Sequence, residues 1–160
     1  MIPQYHKRHL PILDKVTSYT TSDRLEHKLI NNCLYIGGTN EGSDWFYSLR
    51  ATKKHDLHAG FLDASQQLLR QVNLSQVDFI IGYSLGAAIA NIIALNTGIP
   101  CIGFATPGIG TYRLPEGSVN YRTRTDLIKI TPHGVSNLKY VGDSGYLSVK
   151  GHSITTYLQS

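Results

Sequence analysis

The chain has 160 residues, 41% of them hydrophobic and 16% charged, with a formal net charge of +4. That size and balance predict a single domain spanning 1–160, able to bury roughly 70% of its unfolded surface without disulfides or metals. The basic residues, among them Lys7, Arg8, Lys53, Lys54, Arg122, Arg124, Lys129 and Lys139, are scattered. No basic stripe interleaved with aromatics marks a nucleic-acid surface.

No run approaches the roughly 20 apolar residues that span a bilayer, and residues 1–9 lack an apolar signal core. The expectation is a soluble protein without stable membrane insertion. It would be cytoplasmic, or released by lysis or a route that needs no signal peptide. Cys33 and Cys101 each sit in an apolar run and read as buried free thiols.

In chain order, the stretch from about Leu25 to Ile36 ends in Cys33-Leu34-Tyr35-Ile36 and breaks at Gly37-Gly38, which predicts a buried strand entering a loop. A short helical turn is predicted from Asp44 to Leu49. A helix follows from His58 to Val72, with Phe61, Leu62, Leu68, Leu69 and Val72 on its apolar face. Val77 to Ile81 reads as a buried parallel strand and Leu85 to Leu95 as a helix apolar nearly all round. Further strands are expected at Pro100–Phe104, Val119–Thr125 and Leu138–Val141, and a closing helix at Ser153–Leu158. Strands alternating with helices predict an α/β fold with a mostly parallel central sheet.

Gly82-Tyr83-Ser84-Leu85-Gly86 fits G-x-S-x-G between an apolar strand and a helix rich in small residues. That setting predicts a nucleophile elbow, in which a sharp turn presents the Ser84 hydroxyl at the end of a strand. Gly82 and Gly86 let strand and helix approach, and the Leu85 amide at the helix start points to where an oxyanion would form. The competing explanation is a Gly-rich turn with Ser84 as a plain helix cap.

In such enzymes the acid and then the histidine follow the serine. The carboxylates after Ser84 are Glu116, Asp126 and Asp143, and the histidines are His133 and His152. Glu116 and Asp143 lie in turn-like sequences. Asp126 follows a predicted strand, where open α/β sheets build their sites. His133 reads as an exposed loop residue, whereas His152 occupies a loop before the last helix. Asp126 and His152 are therefore chosen as acid and base.

Six segments, in order, resemble the motifs of the class 3 (fungal-type) triacylglycerol lipases, α/β-hydrolases. They are Gly37-Gly38-Thr39 with Asp44-Trp45, His58-Ala59-Gly60-Phe61, Gly82 to Gly86, Phe104 to Gly110, Tyr121 to Pro132 around Asp126, and His152 with Tyr157. The resemblance implies an α/β-hydrolase of reduced size with Ser84, Asp126 and His152 as its triad. It also implies Thr39 as the oxyanion partner of Leu85, and His58 as a structural residue behind the elbow. Three positions depart from the family pattern: Gly37 replaces an arginine, Tyr83 a histidine and Leu127 a proline. With little room for an extended lid between Trp45 and Leu57, the departures point to an esterase-like preference or a small flap.

The expected function is hydrolysis of a carboxylic ester, on lipid or short-chain substrates, with no cofactor and at most transient contact with a lipid interface. The alternatives are an acyltransferase or thioesterase using the same triad, and a catalytically inactive binding module. His55 and His58 have the spacing of metal ligands but no evident third ligand, so no metal site is expected.

Overall fold

A computed structural model describes residues 1–19, 26–38, 54–130, 134–142 and 145–160, and for 54–61, 129–130 and 149 the backbone alone. Among the described residues, six strands form one mixed sheet in the order β1 (His27–Ile30), β2 (Cys33–Ile36), β3 (Phe79–Tyr83), β4 (Cys101–Phe104), β5 (Val119–Thr123) and β6 (Leu138–Val141). Only β1 is antiparallel to its neighbour; β2 through β6 are parallel. The flanking helices are α1 (Gln4–Lys7), α2 (Leu10–Ser18), α3 (Lys54–Leu69), α4 (Leu85–Thr97), α5 (Val149–His152) and α6 (Ile154–Leu158). The expected α/β architecture with a mostly parallel sheet is the one observed.

The pleat sorts each strand onto two cores. Leu34, Ile36, Ile80 and Cys101 point to one face, where Leu68 of α3 and Ile89, Ala90, Ile93 and Ala94 of α4 cover them. Tyr35, Ile81, Tyr83, Ile102, Phe104 and Tyr121 point to the other, covered by Leu10, Leu13 and Val16 of α2 and by Ile154 and Tyr157 of α6. At nine residues, α2 is shorter than an isolated helix needs to be stable. Its docked face sustains it, since full burial of a leucine such as Leu10 or Leu13 is favourable by about 1.5–3 kcal/mol.

Two sequence expectations are corrected here. The single strand from about Leu25 to Ile36 is a hairpin, β1 and β2, turning at Asn31 and Asn32 with φ of 49° and 63°. Asparagine tolerates this left-handed backbone and so builds the turn. Helices α1 and α2 were not expected at all, because their few apolar positions make a pattern too short to stand out. Elsewhere α3 starts earlier than the expected helix, and β3 runs later than its expected strand, reaching Tyr83. The predicted turn at Asp44–Leu49 lies outside the described residues. Cys33 and Cys101 are both free thiols; Cys101 is buried and Cys33 half-buried.

α2 is also held by its polar residues. His9 Nδ1 and the Tyr35 hydroxyl are hydrogen-bonded at 2.7 Å, and the Gly38 amide donates to Thr17 Oγ1 at 3.2 Å. Burial first, then the nearby Arg8 and His6, lowers the pKa of His9 to about 4, against 6.5 for a free histidine. The folded protein thus holds His9 neutral while the unfolded chain protonates it below pH 6.5. Stability is therefore expected to fall as the pH drops from about 6.5 to about 4, by up to roughly 3 kcal/mol from this group. Urea unfolding at pH 7 and pH 4.5 measures it, and His9→Gln should flatten that part of the slope.

Candidate active site

Ser84 follows β3 directly and precedes the first residue of α4. Its backbone lies at φ 56° and ψ −122°, a conformation that costs a non-glycine residue on the order of 1–3 kcal/mol. Its side chain makes no capping hydrogen bond to α4, which removes the plain-cap explanation. The turn is tight enough to demand its glycines. A Cβ on Gly82 would overlap the Gly86 carbonyl, and one on Gly86 would overlap the Ile36 carbonyl of β2. Helix and strand meet where neither residue carries a side chain.

Three residues far apart in sequence converge on this turn. Ser84 Oγ lies 2.8 Å from His152 Nε2, and His152 Nδ1 lies 2.8 Å from Asp126 Oδ1. A carboxylate can only accept, so the proton sits on Nδ1 and Nε2 is left bare to accept the Ser84 hydroxyl. Asp126 also accepts from the Ile128 amide at 2.9 Å and from the Tyr157 hydroxyl at 2.5 Å. Tyr157 is wholly buried; its phenol pKa is driven well above the ordinary value, first by that burial and then by the Asp126 charge. It therefore remains a donor. Its oxygen in turn accepts from the Thr123 amide at 3.0 Å, so one phenol ties the acid to the end of β5.

The segment after β5 is stitched to the one carrying the base. The Ser148 amide donates to the Thr125 carbonyl at 3.0 Å, and Thr123 Oγ1 donates to the Gly151 carbonyl at 2.6 Å. Ser148 caps α5 by accepting from the Gly151 amide, so His152 ends a short helix instead of lying in the loop expected from sequence. The reason is local: Ser148 and Ser153 each supply a cap, which lets two short helices abut.

Leu85 opens α4, and the first amides of a helix lack partners within it, so the Leu85 N–H belongs to the positive end of the helix beside Ser84. Gly38 packs against the elbow closely enough that a Cβ there would stand 2.7 Å from that of Ser84. Thr39 follows it and lies outside the described residues, as do Asp143 and His133. His58 falls within α3, in the part where only the backbone is described. Glu116 lies in a turn before β5, away from the convergence. The Ser84, Asp126 and His152 side chains are all buried, Ser84 to 0% exposure.

Two contributors escaped the sequence reading of chemistry. Tyr157 was grouped with His152 by resemblance alone, without a role. Tyr83 was noted only as a departure, yet its hydroxyl donates to the His152 carbonyl at 2.7 Å. Neither contact leaves a spacing signal, because each depends on α5 and α6 folding back over β3 and β5. Among the described residues, no group of histidine, cysteine, aspartate and glutamate side chains could hold a metal ion, and no helix is long and apolar enough to cross a membrane. Compared with protein-family models, curated proteins and solved structures, the chain matches none.

Proposed function

We propose that the protein is a serine hydrolase of the α/β-hydrolase type that cleaves carboxylic esters through an acyl-Ser84 intermediate. The observation that carries this reading is the hydrogen-bonded chain from Ser84 through His152 to Asp126, with Ser84 on a strained turn at the head of α4. The order of motifs resembling the class 3 lipases supports it from the sequence side.

In this reading His152 Nε2 takes the Ser84 proton as Oγ attacks the ester carbonyl, and Asp126 stabilises the imidazolium that results. The oxyanion is held by the Leu85 amide, with Thr39 as its partner. The proton passes to the leaving alkoxide, which departs as alcohol. Water, deprotonated by His152, then releases the acid and restores Ser84. No cofactor enters.

One observation favours a second reading. Ser84 is fully buried, and a site that excludes bulk water suits transfer to a bound alcohol or thiol acceptor. Product analysis with a short alcohol present separates the two: ester product in excess of free acid selects transfer.

The direct test of both is intact mass after exposure to a fluorophosphonate. An activated serine forms an O–P bond and expels fluoride, adding one phosphonyl group. One adduct is expected on the native chain and none on Ser84→Ala or His152→Ala. A folded native chain that stays unmodified would overturn the enzyme reading.

A further inference from the structure

We infer that Tyr83 is a positioning residue, tying the backbone of the base His152 to the strand that carries the nucleophile. The inference rests on the reading of Ser84 and His152 as nucleophile and base.

Tyr83 is the last residue of β3, 5% exposed, and adjoins Ser84 in the chain. Its hydroxyl donates to the His152 carbonyl at 2.7 Å, and its ring lies over the imidazole with centroids 5.6 Å apart and planes 33° apart. Burial, then the charges of Asp126 and Asp14, raises the phenol far above its ordinary pKa, so the donor keeps its proton at any working pH. β3 sits inside the sheet, bonded to β2 and β4, and is a stiff base for such a tie.

The geometry divides the labour of holding α5. From the end of β5, Thr123 grips the Gly151 carbonyl, and from the segment after it Asp126 grips the imidazole. From β3, the Tyr83 hydroxyl donates a side-chain hydrogen bond to the backbone of His152. The distance from Ser84 Oγ to Nε2 is therefore set from both strands, and Tyr83 supplies the link on the nucleophile's own side. Without the hydroxyl, α5 loses its backbone tie to β3, and the base is held less closely over Ser84.

The test is Tyr83→Phe, which keeps the ring packing and removes the hydroxyl, and with it the tie to His152 and the hydrogen bond with the Ile154 backbone. Misplacement of a base by a fraction of an ångström to an ångström predicts a loss in kcat of about 10- to 100-fold, with KM changed by less than about twofold. The rate of fluorophosphonate labelling, measured well below the melting temperature, should fall in parallel. In a His152→Ala background the same substitution should change nothing further, which a purely structural role would not produce. A readout independent of activity is the His152 Nδ1 proton, which resonates far downfield when held on a carboxylate. Tyr83→Phe should broaden it through faster exchange with solvent.

Unchanged kcat and labelling together with an unchanged Nδ1 resonance would overturn the inference. A native chain that never labels, yet whose Nδ1 proton broadens in Tyr83→Phe, would sink the hydrolase reading and leave the tie standing.

Discussion

Replacing His152 with alanine is expected to lower ester turnover by about 10⁴- to 10⁶-fold, close to the loss from Ser84→Ala. The cause is that, among the described residues, the base hydrogen-bonded to Ser84 Oγ is His152 Nε2. Once it is removed, the hydroxyl must attack with its proton in place. The double variant should be no slower than either single one, because each substitution removes the same step. The measurement is kcat on a p-nitrophenyl ester, with near-ultraviolet circular dichroism to establish that each variant is folded. A His152→Ala enzyme within tenfold of the native rate would mean that the 2.8 Å contact has no catalytic meaning.

Asp126 is expected to show the second large effect, and its two obvious substitutions should part company. The carboxylate is fully buried and takes hydrogen bonds from His152, Tyr157 and the Ile128 amide. Asp126→Ala strands all of these donors in a site closed to water, at about 1–3 kcal/mol for each, so a loss of several kcal/mol is expected. Asp126→Asn keeps the volume and one accepting oxygen, and should fold with a much smaller penalty. Its amide nitrogen can no longer accept from both His152 and Tyr157. Where it faces the imidazole it donates, which moves the imidazole proton to Nε2 and deprives Ser84 of its acceptor. A kcat loss of about 10⁴-fold is expected from that tautomer change alone. Urea unfolding alongside kcat separates the effects: the alanine variant should fail chiefly in stability and the asparagine variant chiefly in rate. Equal behaviour of the two in both measurements would count against the hydrogen-bond pattern around Asp126.

Much of this site is local information, which is why it could be read from the chain. The elbow needs only a strand, a tight turn and a helix that follow one another, and Gly82, Ser84 and Gly86 carry that pattern in five consecutive positions. The parallel strands announced themselves as short apolar runs because both faces of the sheet are covered. Asp126 and His152 could be chosen by elimination, since few carboxylates and histidines follow Ser84. Their meeting is a different matter. Ser84 and His152 are 68 residues apart, and His152 and Asp126 are 26 apart. Only the sheet order and the stitching of 123–128 to 148–152 bring them together. The hairpin at Asn31-Asn32 was legible in principle, as paired asparagines between apolar residues, but Leu29-Ile30 before it is too short a run to announce a strand of its own. Helix α2 was hidden for the opposite reason: its stability comes from docking onto Tyr35, Ile81 and Tyr83, which nothing within Leu10–Ser18 announces. The oxyanion assignment of Thr39 and the structural one of His58 remain proposals resting on resemblance.

The strand order runs from β1 to β6 without a reversal. Right-handed crossovers in such a one-way winding all fall on the same side of the sheet, here the side of α3 and α4. Among the described residues, the opposite side takes its cover from the flanking stretches, residues 2–16 before the winding and 154–157 after it. The two cores therefore differ in the loops that must close to build them. The crossover side can assemble from neighbouring segments. The other must join stretches separated by almost the whole sequence, at the larger entropic cost of long loops. α6 takes part in both kinds of closure: Tyr157 meets Asp126 across 31 residues, whereas Ile154 and Tyr157 also close the core with Leu10, Leu13 and Val16. The nucleophile is thus built from one short stretch, Tyr83 to Gly86, while the base that would activate it arrives from 68 residues further along.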